Sequence, residues 1–213
     1  MSHSFLFLGD SYTIGEGVSE SESFPGQLLS ILKEEGLNIG AVRVIAKTGW
    51  TTDELQSAID NADLQPEYDF VTLLIGVNNQ YRGRPVDDYL PEFESLLRQA
   101  IAYVQGRTNR VVVISIPDWS VTPFASMPKD DGSMHDRVRA RLEIDKYNKG
   151  NEEIAKKYGA HYLPITDGTR EAENDNSLLT TDLLHPSAKE YARWATRLAS
   201  IIKLDAGMRP APM

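Results

Sequence analysis

Near its amino terminus the chain reads FLFLGDSYTIGEG, from Phe5 to Gly17. Four apolar residues in succession, with no polar residue among them, are typical of a short strand buried on both faces of a parallel sheet. Gly9 then permits a turn that a residue with a side chain would resist. Asp10 and Ser11 follow at the carboxyl end of the strand, where open parallel sheets bind their ligands. Ser11 is therefore a candidate functional residue, and the alternative is that Asp10 and Ser11 only cap the next segment.

The length and charge of the chain limit its class. It has 213 residues, which suits one domain with a substantial core. We predict a single domain over residues 1–205 and a frayed tail over residues 206–213, which contain one glycine and two prolines. The formal net charge of -9 and the pI near 5.0 disfavour nucleic acid or an anionic membrane as the main partner, because both are negatively charged.

The chain contains no cysteine, so a disulfide framework, a thiolate metal site and a cysteine nucleophile are excluded. No apolar run approaches the roughly 20 residues that a membrane-spanning helix needs. Residues 1–4 include no Lys or Arg, and the apolar run after them is too short for the core of a signal peptide. As given, the chain is therefore expected to be cytoplasmic, unless a leader precedes it.

Hydrophobic patterns predict alternating strands and helices. The predicted strands cover residues 5–8, 41–46, 70–75, 111–116 and 160–163. The predicted helices cover residues 23–36, 86–104, 137–158 and 187–204, with a shorter amphipathic segment around Leu55 and Ile59. This alternation indicates one α/β domain with a five-stranded, mainly parallel sheet. Residues 118–133 and 166–181 lack such periodicity, and we expect the first of these long segments to have a functional role.

Polar residues follow three of the predicted strands, and the loops after parallel strands meet at one edge of a sheet. These loops carry Ser11, Gly49 and Asn78, and a loop before the last helix carries Asp182 and His185. A serine attacks well only if a base removes its proton, and histidine suits that task near neutral pH. Asp182 lies three residues before His185, so one turn of chain can bring them together. An aspartate there would orient and stabilise the imidazole.

Attack by a serine on a carbonyl group creates an oxyanion, which needs hydrogen-bond donors that are already in place. The backbone N–H groups of Ser11 and Gly49 and the side-chain amide of Asn78 are three such donors. Each residue also has an ordinary structural interpretation, as a turn glycine, a loop asparagine, a capping aspartate at Asp182 or a surface histidine at His185. The occurrence of all of them in this order favours the catalytic interpretation.

Four short motifs of the chain resemble those of the SGNH hydrolases, also called GDSL-type esterases and lipases. They are Gly9-Asp10-Ser11, Thr48-Gly49-Trp50-Thr51-Thr52, Gly76-Val77-Asn78-Asn79 and Asp182-Leu183-Leu184-His185. They occur in the family's order and span nearly the whole chain. The resemblance implies a flavodoxin-like, three-layer α/β/α fold with strand order 2-1-3-4-5. It also implies that the serine is the nucleophile, that the glycine and asparagine of the middle motifs are oxyanion donors, and that no metal or other cofactor takes part.

The sequence departs from the family's pattern at two places. Tyr12 and Thr13 follow the serine where many members have Leu or Ile and then Thr, and we expect this difference to affect substrate contacts rather than chemistry. Asn79 stands where Asp is usual. Because Asn78 keeps the donor role, we expect this change to alter local hydrogen bonding more than activity.

Other functions compete with ester hydrolysis. A flavodoxin-like module could bind phosphate or a nucleotide at the turn from Gly9 to Gly15, although this turn lacks the spacing and the Lys of a P-loop and has acidic neighbours. An α/β-hydrolase is disfavoured because G-x-S-x-G does not occur. A metal hydrolase would need a further ligand from another segment, such as His135 or His161. An inactive interaction domain on the same fold would not need all four motifs.

We therefore predict a serine esterase that acts on a small-molecule ester through an acyl-enzyme. The short chain has no evident lid domain to cover a long lipid, so we expect short acyl esters, with acetyl esters of carbohydrates as the more specific expectation. Aromatic residues expected around the nucleophile could bind the substrate or only pack the loops; they are Tyr12, Trp50, Tyr81, Trp119 and Phe124. Arg82 and Arg84 could contact an acidic or hydroxyl-rich substrate or remain simple loop cations.

Overall fold

One parallel sheet forms the centre of the structure, a computed structural model that describes residues 2–129 and 131–207. The strands are β1 (His3–Gly9), β2 (Ile39–Ala46), β3 (Phe70–Leu74), β4 (Val111–Ile114) and β5 (His161–Leu163). Their order is β2-β1-β3-β4-β5, and every neighbouring pair is parallel. The predicted strands and the predicted strand order are confirmed.

Helices cover this sheet in the predicted three-layer α/β/α arrangement. They are α1 (Ser11–Ile14), α2 (Phe24–Glu34), α3 (Thr52–Asp60), α4 (Val77–Tyr81), α5 (Val86–Tyr103), α6 (Arg137–Tyr158), α7 (Thr166–Thr169) and α8 (Ala188–Asp205). α2 packs against α8, and α5 packs against both α3 and α6. The long helices lie close to their predicted bounds. In contrast, α1, α4 and α7 occupy segments that the sequence pattern indicates to be turns or irregular chain.

Within the described parts of the chain, no helix is both long enough and apolar enough to cross a lipid bilayer. The last helix ends at Asp205, where the predicted domain ends. The domain bounds stay a prediction, because most of the predicted tail at residues 206–213 lies outside the described residues.

The strand β1 lies between β2 and β3, and its side chains from Phe5 to Leu8 are at most 1% exposed. This burial explains the unbroken apolar run, because helices pack against both faces of a parallel sheet. β2 lies at the edge of the sheet and is mostly exposed. Its sequence accordingly alternates and includes Arg43 rather than forming a continuous apolar run.

The register of the strands places three loops side by side. Gly9, the last residue of β1, lies opposite Ala46 at the end of β2 and Leu74 at the end of β3. The segments that follow these strands therefore leave the sheet at the same edge. A side chain at Gly9 would collide with the Leu74 carbonyl group and with Thr13, so only glycine allows this close approach. Ser11 lies just beyond this crowded point.

Candidate active site

Ser11, His185 and Asp182 form a hydrogen-bonded chain at this edge of the sheet. Nε2 of His185 lies 3.1 Å from Oγ of Ser11, and Nδ1 of His185 lies 2.6 Å from Oδ2 of Asp182. Ser11 and His185 are buried, with only 4% and 8% of their surfaces exposed. The three side chains have the arrangement in which a serine, its base and the carboxylate that orients the base work together.

The carboxylate of Asp182 is held in its ionised form. Burial alone would raise its pKa, but hydrogen bonds from Thr180, from the His185 ring and from two backbone N–H groups lower the pKa to about 2. The Thr180 hydroxyl donates at 2.6 Å, and the N–H groups of Leu184 and His185 each donate at 2.9 Å. Because a carboxylate only accepts, Nδ1 of His185 carries the proton and Nε2 faces Ser11 as an acceptor.

An unusual backbone conformation sets the turn between Asp182 and His185. Leu183 has a φ of 60°, in the left-handed region that residues with a side chain rarely adopt. Its N–H donates to the carbonyl group of Thr180 at 3.0 Å, and its own carbonyl group accepts from the N–H of Phe124 at 3.2 Å. These contacts hold the strained residue in the conformation that lets Asp182 reach both the backbone and the ring of His185.

Gly49 and Asn78 border the same cleft as Ser11 and His185. Gly49 has a φ of 84°, and its N–H has no protein acceptor within the described parts of the chain. Asn78, the second residue of α4, donates one amide hydrogen to the carbonyl group of Trp50 at 2.9 Å. Its second amide hydrogen remains for another acceptor. The cleft thus brings both predicted donor residues beside the serine.

The neighbouring Asn79 makes a different set of contacts. It is fully buried, and its Oδ1 accepts from the N–H of Thr52 at 3.1 Å while its Nδ2 donates to Oγ1 of Thr52 at 2.6 Å. These two bonds join α4 to the first residue of α3. The departure from the usual Asp therefore bears on hydrogen bonding between two helices, and its effect on activity stays a prediction.

Aromatic side chains wall the cleft, which has a volume of about 190 Å³. The aromatic residues of the wall are Tyr12, Tyr81, Trp119 and Phe124. The buried Tyr12 ring also packs against His185, with the ring centroids 5.4 Å apart. Trp50, which the sequence predicts to lie near the candidate nucleophile, packs its side chain against the core and does not line the cleft. Its carbonyl group accepts a hydrogen bond from the amide of Asn78 at 2.9 Å.

A second cavity of about 330 Å³ shares Tyr81 and Trp119 with the cleft. The charged residues that line it are Arg82, Lys129, Asp136, Arg139 and Glu143. The His135 ring lies here against both shared aromatic rings, with centroid distances of 5.8 Å and 5.2 Å. Burial and the nearby Lys129 lower the pKa of His135. A small, mostly apolar cleft therefore adjoins a larger and more polar cavity.

Long-range contacts that sequence reasoning missed hold Trp119 in the wall. Its Nε1 donates to Oε1 of Gln80 at 2.9 Å, and Nε2 of Gln80 donates to Glu143 at 2.9 Å. Asp118, the preceding residue, is buried and pairs with Arg170 at 2.8 Å. Asp118 follows the fourth predicted strand closely, and this position indicates a residue near the site. No local pattern in the sequence indicates that Arg170 is its partner.

Asp10, beside the candidate nucleophile, is a buried carboxyl group. Its Oδ1 accepts from the N–H of Tyr12 at 3.0 Å, in agreement with the capping interpretation. Its Oδ2 has no hydrogen-bond partner within the described residues. Burial raises the pKa of Asp10 to about 7, although backbone hydrogen bonds act in the opposite direction.

The two arginines after the third motif lie in different surroundings. Nη2 of Arg82 donates to the carbonyl oxygen of Gly49 at 2.7 Å, and its Nη1 donates to Glu54 at 3.2 Å. Arg84 instead donates to Asp53 at 2.7 Å. Arg82 thus contacts the loop that carries Gly49, beside the candidate nucleophile Ser11, whereas Arg84 forms an ion pair at the surface of α3.

The described residues contain no group of three or more His, Asp or Glu side chains arranged to hold a metal ion. His161 pairs with Asp205 at 2.7 Å, and His135 lies among the aromatic rings of the second cavity. Neither histidine joins the pair formed by Asp182 and His185.

Sequence comparison gives one match over most of the chain. A model of the GDSL-like lipase/acylhydrolase family matches residues 7–193, a range that includes all four motifs. No curated protein sequence matches the chain.

Several solved structures are similar to this one at low sequence identity. The psychrotrophic esterase EstA from Pseudoalteromonas sp., inhibited by monoethylphosphonate, has a TM-score of 0.68 and 18% identity, with 97% of this chain and 100% of that chain covered. The lipase/acylhydrolase from Enterococcus faecalis has a TM-score of 0.69 and 16% identity, with 99% and 100% covered. Axe2, an acetylxylan esterase from Geobacillus stearothermophilus, has a TM-score of 0.65 and 18% identity, with 97% and 95% covered. These likenesses show a common fold.

Proposed function

We propose that this protein is a serine esterase that works through an acyl-enzyme. The chain belongs to the GDSL-like lipase/acylhydrolase family and is therefore a carboxylic ester hydrolase. The observation that carries the proposal is the continuous chain of hydrogen bonds from Ser11 through His185 to Asp182. Ser11 and His185 line a cleft that Gly49 and Asn78 also border. Nucleophile, base, orienting carboxylate and oxyanion donors are the four parts that acyl transfer by a serine requires.

In the first half of the proposed reaction, Nε2 of His185 takes the hydroxyl proton of Ser11 as Oγ attacks the ester carbonyl carbon. The ionised Asp182 stabilises the resulting imidazolium. The tetrahedral intermediate then collapses, the bond to the alcohol oxygen breaks, and His185 gives its proton to that oxygen. The products of this half are the free alcohol and an acyl ester of Ser11.

Water completes the cycle. His185 accepts a proton from a water molecule as the oxygen of that water attacks the acyl carbon. The second tetrahedral intermediate then expels Oγ of Ser11, which takes a proton back from His185. In both intermediates the N–H groups of Ser11 and Gly49 and the amide of Asn78 donate to the negatively charged oxygen. The carboxylic acid leaves and the enzyme returns to its starting state.

The shape of the site favours a short acyl group. The cleft of about 190 Å³ is smaller than the pockets of roughly 300–1,000 Å³ that enclose drug-sized ligands. The adjoining cavity of about 330 Å³ carries charges of both signs, which offer donors and acceptors to a hydroxyl-rich alcohol rather than to a lipid chain. Acetyl esters of carbohydrates fit both features, and Axe2, one of the similar structures, is an acetylxylan esterase.

Hydrolysis of p-nitrophenyl esters from acetate to palmitate tests the proposal. We expect the wild type to cleave the short esters best and Ser11→Ala to lose most of that rate. Ser30→Ala is the matched control, because Ser30 is an exposed serine of α2 outside the cleft. A Ser11→Ala variant as active as the wild type would remove the serine mechanism.

Two further measurements refine the result. A reactive alkylphosphonate ester should modify the wild type once, at Ser11, with loss of activity, as peptide mass spectrometry would show; modification elsewhere would argue against Ser11 as the nucleophile. Acetylated xylo-oligosaccharides should have a higher kcat/KM than ethyl acetate, an ester of an equally unactivated but much smaller alcohol, if the polar cavity binds the alcohol. The opposite order would contradict the carbohydrate preference but not the esterase mechanism.

A further inference from the structure

Side chains fix four consecutive residues, from Gly49 to Thr52, where the loop that carries Gly49 enters α3. The fixed groups are the carbonyl groups of Gly49 and Trp50, which accept from Arg82 and Asn78, and the N–H groups of Thr51 and Thr52, which donate to Glu54 and Asn79. All four partners belong to α3 or to α4 and its C-terminal cap. Side chains from two helices therefore position the loop, in addition to one backbone hydrogen bond of its own, from the N–H of Trp50 to the carbonyl group of Lys47 at 3.2 Å.

We propose that Arg82 is a positioning residue of the oxyanion site, whose guanidinium holds Gly49 so that the Gly49 N–H stays directed into the cleft. This inference rests on the proposed serine esterase function. Nη2 of Arg82 lies 2.7 Å from the Gly49 carbonyl oxygen, and Nη1 lies 3.2 Å from Oε2 of Glu54. The same Oε2 accepts the N–H of Thr51 at 2.9 Å. One planar cation thus joins the end of α4 to the loop and to the start of α3.

Gly49 needs such a restraint because of its conformation. Its φ of 84° lies in a region that glycine enters and leaves at little cost. Its own N–H has no protein acceptor within the described parts of the chain, so no bond of that group fixes its direction. An oxyanion donor acts only if it is in place before the charge forms, and a displacement of about 1 Å can cost roughly 100-fold in rate.

Arg82 and Asn78 restrain neighbouring peptide groups from the same side. They are four residues apart, the spacing that places side chains on one face of a helix. Asn78 borders the cleft and donates to the Trp50 carbonyl group, while Arg82 donates to the carbonyl group one residue earlier. The positions of the proposed oxyanion donors Gly49 and Asn78 therefore both depend on the short helix α4 and its C-terminal cap.

The test compares Arg82→Ala, Arg82→Lys and Arg84→Ala in the full chain. Arg84→Ala is a matched control because it also breaks an ion pair to the start of α3, with Asp53, but does not touch Gly49. On p-nitrophenyl acetate we expect Arg82→Ala to lower kcat by about 10- to 100-fold with little change in KM. Arg82→Lys should lie between it and the wild type, since it keeps the charge but loses the planar fork.

A second readout isolates the oxyanion. A trifluoromethyl ketone inhibitor forms a tetrahedral adduct, so its Ki should rise in Arg82→Ala by the same factor by which kcat/KM falls. The proposal is overturned if Arg82→Ala retains a kcat within about twofold of Arg84→Ala, if only KM changes, or if the inhibitor constant does not follow kcat/KM. Failure of the serine mechanism itself is recognised separately, by an inactive wild type or an active Ser11→Ala.

Discussion

Nε2 of His185 lies 3.1 Å from Oγ of Ser11, although the two residues are 174 positions apart in the chain. Ser11 follows β1, an interior strand of the sheet, and His185 precedes the last helix, α8. α8 packs against α2, the first long helix after Ser11. The packing of α8 on α2 therefore brings the proposed base to the proposed nucleophile. The contact between His185 and Ser11 forms only when the whole domain is folded.

Replacement of Asp182 by asparagine should remove most of the activity. An asparagine keeps the size of the side chain but presents an amide to Nδ1 of His185, which loses both the orienting charge and the tautomer that leaves Nε2 free to accept. We expect kcat to fall by about 10³- to 10⁴-fold with little change in KM. Because hydrogen bonds hold the pKa of Asp182 near 2, its protonation should not limit wild-type activity until the pH approaches that value. Steady-state kinetics of both proteins on p-nitrophenyl acetate would check the expected fall in kcat.

Asp175→Asn is the matched control for that variant. Hydrogen bonds from Ser177 and Lys189 also lower the pKa of Asp175 to about 2, yet this residue does not contact His185. Its replacement should leave kcat within about twofold of the wild type. Equal losses in the two variants would show that general loss of negative charge, rather than contact with the imidazole, reduces activity.

The adjacent residues Asn78 and Asn79 should respond differently to alanine. Asn78→Ala removes a proposed oxyanion donor, so kcat should fall by about 10²- to 10³-fold while stability changes little. Asn79→Ala leaves the buried N–H of Thr52 without its acceptor, so the free energy of unfolding should fall by about 1–3 kcal/mol. Kinetics on p-nitrophenyl acetate and urea unfolding of each variant measure the two effects. A loss in kcat below about threefold for Asn78→Ala would remove that side chain from the donor role.

The sequence allowed the sheet and the motif residues to be predicted because their signals are local. The apolar run before Gly9 indicates a strand that is buried on both faces. Asp182 and His185 are only three residues apart in the sequence, which limits the distance between their side chains. The short helices α1 and α4 escaped prediction, since four or five residues are too few to show a helical period. Asn78 consequently lies on a helix rather than in a loop.

Long-range partners could not be read from the sequence. Arg82 and Arg84 look alike there, yet only the first reaches the Gly49 loop, because side chains two residues apart point in different directions around a helix end. The pairing of Asp118 with Arg170 joins residues from two irregular segments and has no local pattern. Such contacts depend on how the loops pack, which hydrophobic periodicity does not determine.

Asp10 should make the protein less stable as the pH rises. Burial raises the pKa of Asp10 from an ordinary value of 3.8 to about 7, so between these values the folded state binds a proton that the unfolded state has lost. The free energy of unfolding therefore falls as the pH rises through this range, and the loss from this group is complete above the folded pKa. Asp10→Asn stays neutral and keeps an oxygen for the N–H of Tyr12, so it should not show this loss.

Urea unfolding of the wild type and of Asp10→Asn, at about pH 5 and about pH 8, measures this loss of stability. Other titrating groups contribute equally to both proteins, so they cancel when the two free energies of unfolding are subtracted. From the lower pH to the higher, the free energy of unfolding of Asp10→Asn minus that of the wild type should increase by on the order of 2–4 kcal/mol. Asp175→Asn is again the control. Its lowered pKa confers stability that is lost only as the pH falls towards 2, so its difference from the wild type should be nearly constant over this range. A constant difference for Asp10→Asn as well would mean that Asp10 is ionised in the folded protein at both pH values.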